Sequence, residues 1–346
     1  MASNGAYVSV RTERRGPVRH AGWMTPTMTS SRALAALGAI LQATGYRFVT
    51  VTPATHRRVN RRPENAWARD LRGVLGWSRP FKAGVLPAEV ERCLREAGLV
   101  EPDGEGERAL VRASTIGEHL YFHSAWPTCE DDAVFFGPDT YRYVAALRRS
   151  LDALERGKGP MAPDRAIKRA VDMGAGAGPG AIELALRVPE ATVYAADINP
   201  QALALAGVNA KVNGAANVEV RKSDLLGGLD GGFDLVMSNP PYILDADQLA
   251  YRHGGGEHGA ELSIRMVRAA LDRLNPGGSL MLYTGVAIVD GEDRFLGSIR
   301  PWLEQDCAVW QYEELDPDVF GGQLDCEGYE QVERIAAVWL HAVKRG

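Results

Sequence analysis

The segment Val171-Asp172-Met173-Gly174-Ala175-Gly176-Ala177-Gly178-Pro179-Gly180 constrains this chain more than any other. A short apolar run meets a cluster of glycines, and an Ala/Leu-rich segment, Ala181 to Arg187, follows at once. That order reads as strand, glycine turn, helix. Glycine has no Cβ, so such a turn lets the backbone pass close to a ligand. The helix behind it presents its amide-rich end to the same ligand. The turn alone does not choose that ligand, because Gly176-x-Gly178-x-x-Ala181 can also be fitted to dinucleotide spacing.

The runs that follow narrow the choice. Thr192 to Asn199 reads as a second short strand that ends in Asp197. An acid there accepts hydrogen bonds from ribose hydroxyls in nucleoside-binding sheets. Its plainer alternative is to cap the helix starting near Pro200. Asn217 to Leu226 gives a third strand and Asp224, which can accept from an adenine amino group or simply close a turn. A fourth apolar run, Phe233 to Ser238, leads into Asn239-Pro240-Pro241-Tyr242. The Asn side-chain oxygen and the carbonyl after it can accept both hydrogens of a planar NH2 group. The prolines stiffen the turn that carries those acceptors. The Tyr ring can stack on a flat amide or base. In an open parallel sheet all four strand ends lie along the edge where ligands bind.

On these residues, the stretch from about Val134 to Lys344 resembles a class I S-adenosylmethionine-dependent methyltransferase. The likeness is nearest to the small-domain methyltransferases, a group that includes release-factor glutamine and ribosomal RNA enzymes. It implies S-adenosylmethionine as cofactor, bound by Asp172, Gly174, Gly176, Gly178, Asp197, Asp224 and Asn239. It also implies that Asn239, Pro240, Pro241 and Tyr242 position the acceptor nitrogen, as in N-methyltransferases of adenine, cytosine and protein glutamine. Phe135-Phe136-Gly137-Pro138-Asp139-Thr140 is similar to the Pro-Asp-Thr segment that caps the pocket of the glutamine enzymes. After Tyr242 those enzymes carry an Arg and then a Glu-Pro pair. Here Arg252 stands in the following loop and no Glu-Pro follows it. His253, Glu257 and His258 are metal-ligand types, but Gly254-Gly255-Gly256 suits a lid better than a rigid ligand set, so no metal is expected. Gly321-Gly322-Gln323 reads as a turn after Phe320.

The implied fold is α/β: a Rossmann-like, seven-stranded, mostly parallel sheet with an antiparallel edge strand, preceded by a smaller winged-helix-like α+β domain. We expect a disordered tail over 1–20, a basic accessory domain over 21–130 and the methyltransferase domain over 131–346. In the accessory part, helices are expected over 31–44, 64–75 and 87–97. A short β-branched stretch covers 46–52, and strands cover 108–113 and 119–123. The Gly157 to Pro160 stretch reads as a connector.

Charge is divided unevenly. The first hundred residues hold sixteen Lys/Arg against six Asp/Glu, while the whole chain holds 39 against 44. The densest basic patch is Arg57-Arg58-Val59-Asn60-Arg61-Arg62. A basic module beside an acidic one suggests contact with a nucleic acid or the ribosome, or else docking on the acidic domain itself. No apolar run approaches membrane-helix length, and the first twenty residues lack a secretory pattern. Cys93, Cys129, Cys307 and Cys326 form no paired motif and read as reduced thiols of a cytoplasmic protein. The leading reaction is N-methylation of a macromolecule, at a protein glutamine or an RNA or DNA base. The alternative is N-methylation of a small molecule in specialised metabolism.

Overall fold

The computed structural model describes residues 28–128, 130–156, 166–245 and 252–346. The tail over 1–20, Cys129 and the connector over 157–160 lie outside them. The chain opens with α1 (Met28–Ala43), α2 (Pro53–Asn60), α3 (Leu71–Leu75) and α4 (Ala88–Glu96). Two hairpins follow, β1 (Val100–Asp103) with β2 (Gly106–Ala109), and β3 (Val111–Ile116) with β4 (His119–Ser124). The apolar stripe of α1 makes the helix stick, because Leu34, Leu37 and Leu41 are buried along one face.

This region differs from its sequence reading in several places. The strand expected over 108–113 is divided between β2 and β3 at Leu110. The β-branched stretch over 46–52 is irregular: the Thr50 N–H is taken by the Tyr141 hydroxyl at 2.9 Å, and Phe48 C=O accepts from the Thr115 N–H. The helix expected over 64–75 is broken. Ala68 N–H donates to Pro80 C=O, and Asp70 starts a new helix by accepting from Gly73 N–H at 2.7 Å. Helix α2 was not expected, although Thr52 and Pro53 are a good start signal: the Thr52 hydroxyl accepts from Thr55 N–H and proline stands at the first turn.

The sheet begins after α5 (Pro138–Glu155). Its first half comprises β5 (Arg169–Met173), α6 (Pro179–Arg187), β6 (Thr192–Asp197), α7 (Pro200–Val212), β7 (Val218–Lys222) and β8 (Phe233–Ser238). Its second half comprises α8 (Glu261–Arg273), β9 (Leu274–Val289), β10 (Glu292–Asp293), α9 (Arg294–Asp306), β11 (Cys307–Asp316) and β12 (Arg334–Lys344). The strand order is β7-β6-β5-β8-β9-β12-β11, with the short β10 paired to β9. Strands β5 to β9 run parallel, and β12 is antiparallel to both neighbours. The antiparallel strand therefore lies one place in from the edge, and β11 at the edge runs with the others. Covering helices make the central strands apolar: all six residues of β8 are buried. Asp234 is the buried charge in it, and its Oδ2 accepts from the Lys168 and Arg169 amides at 2.9 and 3.0 Å.

The N-terminal region and the sheet share one apolar core, which runs from Leu34 through Phe122 and Tyr143 to Trp339. Asn209 of α7 and Asn213, which caps the helix's carboxyl end, seam them together. Asn209 Oδ1 accepts from Phe122 N–H at 2.8 Å and its amide donates to Phe122 C=O at 3.0 Å. Asn213 makes the same pair of bonds with Leu120.

Candidate active site

The carboxyl ends of β5, β6, β7 and β8 open on one cavity of about 920 Å³. Its wall includes Asp172, Gly174, Gly176, Asp197, Asp224 and the whole Asn239–Tyr242 run. The strand order brings these together as expected for ligands of an open parallel sheet. Gly178 is the one expected site residue outside the wall. It caps α6 at φ +84°, where a Cβ would sit 3.1 Å from Ala206 Cβ.

The glycine turn is held from below. Gly174 and Ala175 N–H both donate to Ala196 C=O, and Gly176 N–H donates to Asp197 Oδ2 at 2.9 Å. Asp197 Oδ1 accepts from Asn199 N–H at the same distance. Burial pushes the Asp197 carboxyl up, against the pull of these amides. Asp172 is deeper. Its Oδ1 accepts from the Tyr143 hydroxyl at 3.0 Å and its Oδ2 from Ala181 N–H at 2.9 Å. Burial raises it to about 6, with Asp197 pushing the same way and the Ala181 and Tyr143 donors opposing. Asp172 thus braces the turn with both oxygens. Asp224 is exposed at the end of β7.

The fourth strand end is built more tightly. The Ser238 hydroxyl donates to Met173 C=O at 2.7 Å and ties β8 to β5. Asn239, next in line, is half-buried, and its side chain makes no hydrogen bond to another described residue. Tyr242 is buried edge-on between Tyr283 and Phe320, with ring centroids 6.3 and 5.8 Å away. Its hydroxyl has no partner in hydrogen-bond geometry. Burial, then the nearby Asp139 and Tyr283, hold that phenol protonated. Asp139 itself accepts from the Tyr283 hydroxyl at 2.7 Å, which fixes the Pro138-Asp139-Thr140 segment against the sheet.

The described part of the loop after Tyr242, residues 252–259, packs beneath the turn; a glycine-rich lid or substrate loop was expected there, and residues 246–251 lie outside the described ones. Gly254 N–H donates to Ile243 C=O at 2.9 Å, and a Cβ on Gly254 would lie 1.9 Å from Gly259 C=O. The glycines are there because backbone packs directly on backbone beneath the Asn239–Tyr242 turn. His253 Nδ1 accepts from Asp245 N–H, Glu257 pairs with Arg294, and His258 packs on Tyr329, so the three ligand-type side chains are separately engaged. Arg252 pairs with Asp245 at 3.1 Å and lines the cavity.

Two contributors were missed in the sequence. Ile198, directly after Asp197, is 53% exposed in the cavity wall. An apolar residue straight after a strand-end acid was the available signal. The segment Val319 to Gln323, read only as a turn, also lines the cavity. Phe320 there holds φ +56°, an uncommon conformation for an aromatic residue. Gln323 Nε2 donates to Leu244 C=O at 2.7 Å and fastens this segment to the end of the Asn-Pro-Pro-Tyr turn.

Carboxylates at two strand ends, an exposed apolar shelf at Ile198 and a glycine turn make a set that fits a cationic nucleoside. Residues 160–287 match the methyltransferase small domain family. The chain is 36% identical over 209 residues to the release factor glutamine methyltransferase of Deinococcus radiodurans, covering 55% of this chain and 70% of that protein. The chain belongs to this methyltransferase family. It is also 33% identical over 217 residues to the ribosomal protein uL3 glutamine methyltransferase of Neisseria meningitidis serogroup A, covering 58% of this chain and 69% of that one. Among solved structures, the tRNA m1G37 methyltransferase of M. jannaschii is similar at 19% identity and a TM-score of 0.45, over 70% of this chain and 59% of its own. That distant likeness carries no argument. As a member of the family, the protein is an S-adenosylmethionine-dependent methyltransferase.

Proposed function

We propose that this methyltransferase acts on the side-chain amide nitrogen of a glutamine in a protein. The observation that carries the reading is Asn239, whose side chain stands in the cavity wall without a partner among the described residues. The named activities of the two glutamine-methylating relatives support the same acceptor.

The cofactor's sulfonium supplies an electrophilic methyl. In this reading Asp197 and Asp224 accept from its ribose and adenine, Ile198 covers the base, and the Gly174–Gly176 turn lies along its amino-acid end. Asn239 Oδ1 and Pro240 C=O accept the two hydrogens of the glutamine NH2. An amide nitrogen is a poor nucleophile because its lone pair is delocalised. The two acceptors hold it in line and stabilise the positive charge that grows on it. Nitrogen bonds the methyl carbon, the sulfur keeps the electrons of the broken bond, and one N–H proton passes to solvent. Tyr242 backs the turn from within its aromatic packing, and its ring supports the acceptors.

No helix of the described residues is long and apolar enough to cross a membrane. We infer a cytoplasmic enzyme, in keeping with the translation proteins that its relatives are named for.

The test uses methyl-labelled S-adenosylmethionine and lysate from cells lacking the gene. Label should enter the protein fraction with the wild type and not with Asn239→Ala. Label confined to nucleic acid or to small molecules would overturn the proposal.

A further inference from the structure

Helix α2 and the residues after it carry Arg57, Arg58, Arg61 and Arg62, all exposed. None of the four is ion-paired to another described residue. Several other arginines of the chain are paired, such as Arg95 with Glu91 and Glu107, Arg148 with Glu183, and Arg334 with Glu314. Arg57 and Arg61 stand four residues apart, a spacing at which like charges repel. The cluster therefore weakens the helix locally, offset in part by its position at the carboxyl end.

Its place supplies a use. Thr52, Pro53, Ala54 and Arg57 belong to the wall of the active-site cavity. The cluster starts in that wall and continues onto the surface. From residue 101 onward acidic residues outnumber basic ones by 38 to 23. An anionic partner is repelled by most of the molecule and steered to this patch.

We propose that Arg57, Arg58, Arg61 and Arg62 grip an acidic segment of the protein acceptor, a few residues from the glutamine that is methylated. This rests on the protein-glutamine reading given above. Guanidinium groups pair with carboxylate and phosphate alike. Arg57 decides between them: a molecule that places its nitrogen at Asn239 passes this wall, and in that reading the molecule is a protein.

Fluorescence anisotropy with the full chain tests the surface. Three probes are used: a labelled peptide with one central glutamine flanked by glutamates, the same peptide with serines for glutamates, and a single-stranded RNA of similar length. The acidic peptide should bind at least tenfold more tightly than the serine peptide, and added salt should erode the difference. The combined variant Arg57→Gln, Arg58→Gln, Arg61→Gln, Arg62→Gln should lose that preference, and Arg57→Gln alone should lose part of it. Calorimetric S-adenosylmethionine affinity should be unchanged in both, which also shows that they fold. Equal binding of the two peptides, or an unchanged preference in the folded combined variant, overturns the proposal. RNA bound more tightly than the acidic peptide also overturns it and assigns the patch to nucleic acid. The glutamine reading fails separately: Asn239-dependent label would be missing from protein while the acidic preference persisted.

Discussion

At the residue scale, the account separates holding the acceptor from holding the cofactor. Asn239→Ala should lower kcat by about 10²–10³-fold, the usual loss for a donor or acceptor aimed at developing charge, and leave cofactor affinity within about threefold. Asp197→Ala should do the reverse, because Asp197 also ties down Gly176. Single-turnover rates and calorimetry on both variants check this; equal losses of rate and affinity in each would contradict it. Asp172 gives a pH prediction. Its carboxyl is raised in the fold to about 6. The folded state therefore binds a proton more tightly than the unfolded chain, and the group's contribution is fully present at low pH and lost as pH rises through about 6. Asp172→Asn can keep Ala181 N–H on its oxygen and offer its amide to the Tyr143 oxygen. Its melting temperature relative to the wild type should rise between pH 4 and pH 7, by a free energy on the order of 3 kcal/mol at most. The acids and the Asn-Pro-Pro-Tyr turn were legible because strand ends fix where such residues point. Ile198 was marked only by its place straight after a strand-end acid, and Phe320 had no mark, since an exposed apolar side chain is not distinguished until its neighbours are known.

At the scale of elements, the parallel strands were readable from their apolar runs, whereas the supports of the site depend on contacts across the sheet. Gly285 in β9 is an example. A Cβ there would lie 2.2 Å from Tyr242 Cε2, so the glycine makes room for the ring that backs the turn. Gly285→Ala should push Tyr242 and the acceptors out of place. We expect kcat to fall at least tenfold, cofactor affinity to hold, and stability to drop by about 1–3 kcal/mol from overpacking. An unchanged kcat would show that Tyr242 does not position the turn. The glycine loop over 254–259 was ambiguous in the sequence for a related reason. Glycine serves mobility and close packing equally well, and only the approach to Gly259 and Tyr242 C=O decides which. The helices expected over 31–44 and 87–97 form, but the one expected over 64–75 is broken because Asp70 restarts the chain with a local cap, and the Thr52 cap starts α2 where no helix was expected.

At the scale of the whole molecule, the N-terminal region is built into the enzyme. Glu183 of α6 is buried and accepts from His119 at 2.8 Å, Tyr121 at 3.1 Å and Arg148 at 2.7 Å. Burial would raise its carboxyl, but the His119 and Arg148 bonds outweigh this and hold it below its ordinary value. Its stabilisation is present above the ordinary glutamate range and fades as pH falls through the lowered value. Glu183→Ala should cost about 3–5 kcal/mol, as for other broken buried pairs, and urea unfolding at neutral pH would measure it. For the same reason, removing residues 1–125 should destabilise the sheet as well as weaken acceptor binding. A truncated chain that melts at the wild-type temperature would show two independent units. Charge asymmetry was visible in the sequence; the shared core and the Asn209 and Asn213 clamps were not, because they join segments some ninety residues apart.

The most direct test of the account is tandem mass spectrometry of the protein that receives label from methyl-labelled S-adenosylmethionine. The account predicts a single methyl group on a glutamine side-chain nitrogen, with acidic residues nearby in the sequence and no product from Asn239→Ala. A methyl group on lysine, arginine or a carboxylate, or a product that survives Asn239→Ala, would contradict it.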